Sequence, residues 1–429
     1  TKQKMAVAAI VVASISGWIL LHTITDTPLF LQAGPWSILW MRVKAFLGLL
    51  SSTSDDRLLQ AYQKMPWASA KMVLIRMMAF LSTSVTIHEL LWMLDEILYG
   101  REYRQISLQD SVFLVGSFRT GSTSLHRALA LDEERFVSPR FIELWYPFVC
   151  VQKLFDWLEA RDKRLGTTVI RDIEKKFQDQ IGADVMARHP MHWHEAEEED
   201  LLLAAWHFVG WYLGCSLPHP EAWVSTGQIH KLPPGDRYRS FLFYKRAMQK
   251  ILYRRGNGRA LLSKSHLIDL MPTIAENIEG AKFVGIVRHP ADAFCSWFGL
   301  TQASLSKISS EAIDPKTAVQ AHVRFWDCFT QSEMSFFLQQ KRQNPENFAT
   351  VKFSDYIADQ DQVVRNLYNV WGYYLEGTKF EKRLEEDRTK HKSYKAKTKY
   401  KNPTLEELGV SRDMLEERYA EYLKAFGIS

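Results

Sequence analysis

The chain has 429 residues, 46% of them hydrophobic and 24% charged, so a large apolar core is available and global disorder is excluded. Four cysteines are too few for a disulfide-stapled scaffold, and 54 Lys and Arg against 49 Asp and Glu leave a net charge of +5, too small for a nucleic-acid binder.

Met5 to Ile24 (MAVAAIVVASISGWILLHTI) is an apolar run without formal charge. At about 1.5 Å per residue it is long enough to cross a hydrocarbon core of roughly 30 Å. Residues 1–27 are therefore predicted to be a single transmembrane anchor. Lys2 and Lys4 before it lie nearer than Arg42 and Lys44 after it, which favours a cytosolic N-terminus. Pro28 to Leu50 is apolar but broken by Gly34 and Pro35. Met72 to Leu98 is apolar but carries Arg76, His88, Glu89, Asp95 and Glu96. Such interruptions suit interfacial or core helices rather than clean spans. Residues 28–109 are accordingly read as a membrane-associated helical region, the lipid bilayer being the implied partner. The near-acceptor Asn402-Pro403-Thr404 carries the forbidden proline, so no N-glycosylation motif supports a lumenal placement.

From residue 110 to 429 the pattern becomes one of strands followed by helices. Short β-branched or apolar runs occur at Ser111–Gly116, Arg259–Lys264, Lys282–Val287 and Ala349–Phe353. Helical patterns fill the intervals, notably Ser122–Leu131, Val151–Gln180, Asp200–Leu213 and Asp292–Leu300. This alternation predicts an α/β fold with a central parallel sheet flanked by helices. Lys390 to Lys401 holds six lysines and no acid, a solvated basic loop or a flap over an anionic ligand. Cys150, Cys215, Cys295 and Cys328 are scattered among apolar neighbours and read as free buried thiols.

Gly116-Ser-Phe-Arg-Thr-Gly121-Ser122-Thr123 has the P-loop frame G-x-x-x-x-G-K-[ST], with Ser122 in the lysine position. Between a strand and a helix, such a turn aims successive amides at one anion. Arg119 adds a guanidinium fork, and Ser122, Thr123 and Ser124 add hydroxyls. The missing lysine argues against nucleoside triphosphate hydrolysis. A second signal, Val287-Arg288-His289-Pro290 through Ser296, ends a strand in arginine where a P-loop NTPase would place a magnesium-binding aspartate. Ligands of open α/β sheets bind beyond the carboxyl ends of the strands. Arg288 and Ser296 can therefore meet a second, separate phosphate there.

Together these segments resemble the sulfotransferase superfamily, which uses 3′-phosphoadenosine-5′-phosphosulfate (PAPS). Phe118–Leu129 is similar to its 5′-phosphosulfate loop, Ile286–Phe298 to its 3′-phosphate motif, and Val351–Tyr356 to a later strand with Ser354 in place of Glu. The likeness covers Ser111 to Gly409. It implies a P-loop-like fold in which Arg119, Thr120, Gly121, Ser122, Thr123 and Ser124 hold the 5′-phosphosulfate while Arg288 and Ser296 hold the 3′-phosphate. PAPS would be the donor and its 3′,5′-bisphosphate (PAP) the by-product, with no metal. The acceptor would be a hydroxyl of a lipid, sterol or glycan, and oligomerisation stays open. A eukaryotic source would imply a Golgi or ER membrane.

Transfer needs in-line positioning, stabilisation of charge on the leaving oxygen, and a base for the acceptor proton. Arg119 meets the second need. For the base, Glu143 in Phe141–Trp145 and His266 in Ser263–Leu267 are both candidates, with Lys264 implied to face the sulfate. His189, His192, His194 and the acidic run Glu195–Asp200 lack a closed four-ligand spacing, and the run is read as a helix cap and wall of the acceptor pocket. The alternatives are a nucleotide kinase or NTPase, disfavoured by Ser122 and Arg288, and a non-catalytic membrane adaptor.

Overall fold

The computed structural model describes residues 87–88, 90–200, 202, 228–231, 234–305, 315–395 and 401–428. Residues 5–24, on which the anchor expectation falls, lie outside them, as do most of Asp200–Leu213 and Cys215. Among the described residues no helix is long and apolar enough to cross a membrane.

Five parallel strands form one sheet: β1 (Val112–Gly116), β2 (Phe136–Val137), β3 (Ala260–Ser265), β4 (Lys282–Val287) and β5 (Phe348–Lys352), in the order β2-β3-β1-β4-β5. Four of these coincide closely with the sequence expectation. The fifth, β2, has only two residues, too short for any periodicity to reveal. All of β1 is buried, as a strand covered on both faces must be. Successive side chains then serve different cores. Phe113 and Val115 join Phe283 and Val287 in one, with helices Pro234–Arg255 and Pro315–Gln343 over them. Val112 and Leu114 join Val284 and Ile286 in the other, against helices Ser122–Leu129 and Gln360–Val370. Residues 90–108 add Trp92 and Leu108 to the first core.

The pattern from Val151 to Gln180 is not one helix. Gly166 adopts φ 67° and ends a first helix, Val149–Leu165, before a second, Val169–Ile181. A left-handed glycine is the common way to stop a helix. The basic tract begins as helix rather than loop: Lys379–Lys395 is helical through its first six residues, and 396–400 lie outside the described residues. Cys150, Cys295 and Cys328 form no disulfide, but they are half-buried rather than buried as the sequence suggests.

Register positions the site. Val115 pairs with Ser265, Gly116 with Ile286, and Val287 with Lys352, so the carboxyl ends of four strands lie at one edge. Gly116 is required there, because a Cβ would meet the Ile286 carbonyl oxygen at 2.5 Å. The chain leaves β1 toward β2 and β3 but leaves β4 toward β5, so a topological switch point falls between β1 and β4.

Candidate active site

A cavity of about 380 Å³ opens at that switch point. Its walls include Phe118, Arg119, Gly121, Ser122, Thr123 and Ser124 from the loop after β1, Arg288 and Ser296 after β4, and His266 after β3. Phe353, next after β5, closes one side, and His189, Glu198 and Asn402 close another.

The loop turns through two left-handed residues, Arg119 (φ 65°) and Gly121 (φ 86°), and the helix Ser122–Leu129 begins directly after. The amides of Ser122, Thr123 and Ser124 belong to the first turn, where N–H groups have no partner within the helix. The amide of Leu125 is the first to be satisfied, donating to the Gly121 carbonyl. No acid sits in that turn, so its positive end faces the cavity uncompensated. A Cβ on Gly121 would lie 2.9 Å from two ring carbons of Phe353, so the phenyl ring and the loop are in closest contact there.

Arg119 Nε donates to Ser296 Oγ at 2.9 Å, and its Nη1 donates to the Arg188 carbonyl at 3.1 Å. Arg288 Nη1 in turn donates to the Arg119 carbonyl at 2.6 Å, while the Arg288 guanidinium stacks 4.2 Å from the Phe353 ring centroid. The two motifs, distant in sequence, therefore touch directly. Thr120 differs from its neighbours: its hydroxyl donates back to the Ser117 carbonyl at 2.8 Å, and the side chain is buried away from the cavity. Ser124 shares a 2.9 Å hydrogen bond with Tyr356.

His266 is fixed by three contacts. Its amide donates to Asp200 at 2.8 Å, its Nδ1 donates to the Gly116 carbonyl at 2.6 Å, and its ring lies against Phe118. With Nδ1 protonated, Nε2 is the acceptor, and Lys264 Nζ stands 2.9 Å from it. Burial, followed by the nearby Lys264 charge, depresses the imidazolium to about 3. Lys264 does not reach the cavity wall; it is buried behind Glu198, whose carboxylate it contacts, and burial lowers its ammonium to about 7. Glu198 lines the cavity between this lysine and His189. In the sequence Glu198 is one of a run of acids; only its position beside Lys264 and the cavity singles it out.

The structure does not bring Glu143 to this cavity. Arg254 Nη1 donates to Glu143 Oε1 at 3.0 Å, Arg255 donates to both its oxygens at 2.8 and 2.6 Å, and the Arg140 amide caps Oε2 at 3.0 Å. All of its acceptor capacity is spent inside a buried ion cluster.

His189, Glu197 and Glu198 bring ligand atoms within 4.8 Å of one another. Protein cations already serve these carboxylates. His189 Nε2 lies 3.0 Å from Glu197, Arg127 Nη2 lies 3.5 Å from the same residue, and Lys264 holds Glu198. Burial alone would raise the Glu197 carboxyl, but His189 and Arg127 outweigh it and hold it below its ordinary value. His192 and His194 face elsewhere, toward Glu174 and Glu159.

Behind the loop sits a residue that the sequence did not flag. Glu333, wholly buried on the helix Pro315–Gln343, accepts from the Ser117 amide at 3.0 Å and binds the Ser117 hydroxyl. Tyr422 donates to it at 3.4 Å, and the Arg288 backbone bonds to that same tyrosine hydroxyl. Glu333 thus braces both motifs from one point. The available signal was a lone acid among Phe329, Met334, Phe336 and Phe337 on one helix.

Comparison with known proteins agrees with this geometry. Residues 111–376 match the family described as the sulfotransferase family. An omega-hydroxy-beta-dihydromenaquinone-9 sulfotransferase, Stf3, from Mycobacterium bovis is 23% identical over 351 residues, covering 79% of this chain and 80% of the relative, and its Mycobacterium tuberculosis counterpart matches equally. Among solved structures, sulfotransferase STF1 from M. tuberculosis H37Rv superposes with a TM-score of 0.60 at 19% identity, over 85% of this chain and 90% of that one. STF9 from Mycobacterium avium superposes with a TM-score of 0.63 at 16% identity, over 87% and 90%.

Proposed function

The chain belongs to the sulfotransferase family, and we propose that it moves the sulfuryl group of PAPS to a hydroxyl of an amphipathic acceptor by in-line displacement. The observation that carries this reading is the direct contact of two candidate anion-binding arrays in one cavity, with Glu198 and His266 on its wall and Lys264 buried behind them. A donor with phosphates at both ends of a nucleoside needs two such arrays. The residues fit it. The first-turn amides, Ser122, Thr123, Ser124 and Arg119 suit the 5′-phosphosulfate, Arg288 and Ser296 the 3′-phosphate, and the Phe353 ring offers an apolar face beside them.

In the reaction the acceptor oxygen forms a bond to sulfur as the bond from sulfur to the phosphate oxygen breaks, and PAP leaves. Charge grows on that phosphate oxygen, where fixed amides and Arg119 stabilise it without reorganisation. The acceptor proton must pass to a base on the cavity wall. Glu198 is proposed for that role: both it and His266 line the cavity and both contact Lys264, but Lys264 meets only Oε2 of the two Glu198 oxygens while it faces Nε2, the single acceptor atom of His266, and Glu143 is consumed by arginines. His266 and Lys264 then position Glu198 and balance its charge.

The acceptor is proposed to be a lipid or sterol rather than a free sugar. The mycobacterial relatives are named for a hydroxylated dihydromenaquinone, and the apolar N-terminal tracts of this chain would keep the enzyme at a bilayer, where such acceptors reside. A nucleotide kinase is disfavoured, because Arg288 stands where a magnesium-binding acid would be needed.

The test is the melting temperature of the detergent-solubilised protein with 3′,5′-ADP, compared with ADP or ATP and Mg²⁺. A ligand at 100 times its Kd adds about 2.7 kcal/mol of stability. Stabilisation by 3′,5′-ADP alone, lost in Arg288→Ala, is the expected result. Stabilisation by ATP alone would refute the donor assignment, and sulfation of soluble sugars alone would refute the acceptor class.

A further inference from the structure

The helix over residues 90–103 is apolar on two sides: Trp92, Met93 and Tyr103 are buried against the domain, and a second, aliphatic stripe faces outward. Its inner face also carries two acids. Asp95 is wholly buried, accepts the amides of Val149 and Cys150 at 2.6 and 2.9 Å, and pairs with Lys250 at 3.1 Å. Glu96 is turned inward onto Tyr103 and Arg104. The outer face carries Ile87, Leu90, Leu94, Ile97 and Leu98, between 42% and 60% exposed. Their spacing places all five on one helical stripe. Buried Trp92, Met93 and Tyr103 and these polar contacts together hold the helix to the domain and leave a second aliphatic stripe outside.

The neighbouring helix Val149–Leu165 continues the pattern. Lys153 Nζ stands 4.1 Å from the Tyr99 ring centroid and ties the two helices together. One turn further on, Leu154 and Trp157 are exposed, and the Arg161 guanidinium lies 5.6 Å from the Trp157 ring. Lys163 and Arg164 are exposed on the same helix, as is Asp156, whose carboxylate pairs with Arg254. An apolar stripe, an outward tryptophan and flanking cations are the chemistry of an interfacial surface on an anionic bilayer.

We propose that the outward face of residues 87–98, with Leu154 and Trp157, docks into the headgroup and acyl boundary of a bilayer containing anionic lipid. The occupant is lipid rather than protein because Lys153 and Arg161 pack on Tyr99 and Trp157 at the border of this face and because Ile87 follows directly on 86 residues that include the uncharged run Met5–Ile24. Insertion of that run in a bilayer would hold this face close to the same surface. The inference does not depend on the donor or acceptor chemistry.

The test is lipid photolabelling of the full chain reconstituted in vesicles of phosphatidylcholine and phosphatidylglycerol doped with a diazirine phospholipid, read by peptide mass spectrometry. Adducts are expected on residues 87–98 as well as on residues 5–24. In the double variant Leu94→Glu, Leu98→Glu, the yield on 87–103 relative to that on 5–24 should fall about tenfold. Circular dichroism and melting temperature should stay unchanged, which separates lost docking from lost folding. Adducts confined to residues 5–50, or absent throughout, would overturn the proposal. So would cross-links showing the stripe covered by residues 5–50 or by a second copy of the chain.

Discussion

Glu333 makes the energetics of the phosphate loop measurable through pH. Its carboxyl is wholly buried, and burial raises it from 4.5 to about 8 against the stabilising bonds from Ser117 and Tyr422. A carboxyl raised on folding contributes stability that is fully present below its unfolded value and is lost as pH climbs through its folded value. The window here runs from about pH 4.5 to about pH 8. Each pH unit inside it is worth about 1.4 kcal/mol, so the full swing is on the order of 3–5 kcal/mol. Glu333→Gln preserves shape and an acceptor for the Ser117 amide but cannot ionise. Near pH 5 the variant should be less stable than the wild type by about 1 kcal/mol, one altered hydrogen bond. Near pH 9 it should be more stable by about 2–4 kcal/mol, because the wild type then holds an unpaired buried anion behind an anion-binding loop. Lys264, lowered by burial to about 7, adds stability as pH rises toward 10.5, but it does so in both proteins and cancels in the difference. Guanidinium unfolding followed by tryptophan fluorescence, at intervals from pH 5 to 9, measures the two curves. Parallel curves would refute the reasoning, since they would mean that Glu333 titrates alike in the folded and unfolded chains.

Three further outcomes are expected. Glu143→Gln should destabilise the protein by about 3–5 kcal/mol by unbalancing Arg254 and Arg255, yet leave 3′,5′-ADP binding intact, while Glu198→Gln should retain that binding and lose about 10²–10⁴ in kcat; melting curves and single-turnover sulfation separate the two. Gly121→Ala should abolish the thermal shift with 3′,5′-ADP at modest cost in stability, because φ 86° and the 2.9 Å approach to Phe353 both oppose a Cβ, and isothermal titration reads the loss. Treatment with EDTA should leave sulfuryl transfer unchanged, since Lys264 and Arg127 already serve the carboxylates of Glu197 and Glu198; a loss restored by added zinc would show that His189, Glu197 and Glu198 hold an ion.

Local chemistry in this chain is written in contiguous residues, and so it was legible. A strand, a glycine turn and a hydroxyl-rich helix start occupy Val112 to Ser124, and their order alone points to the proposed anion site. The run ending in Arg288 and followed by a helix points to a second proposed one, and the alternation of strands and helices specifies a parallel sheet. Glu143 shows where such reading stops. An acid just past the phosphate loop looks like a base until Arg254 and Arg255, more than a hundred residues away, are seen to claim both its oxygens. Glu198 was hidden for the opposite reason: four successive acids look alike along the chain, and only their different directions in space separate Glu198 at the cavity from Glu199 and Asp200, whose oxygens accept the Lys264 and His266 amides. Glu333 left only the faint mark of an acid among aromatics, and the run Met72–Leu98 read as an interfacial or core helix without showing which leucines face out, because burial is not written in sequence. Which strand ends meet, and therefore which side chains share a cavity, depends on sheet order and register. Those follow from pairings between residues as distant as Val112 and Lys282, a sum of many long-range contacts that no local pattern encodes.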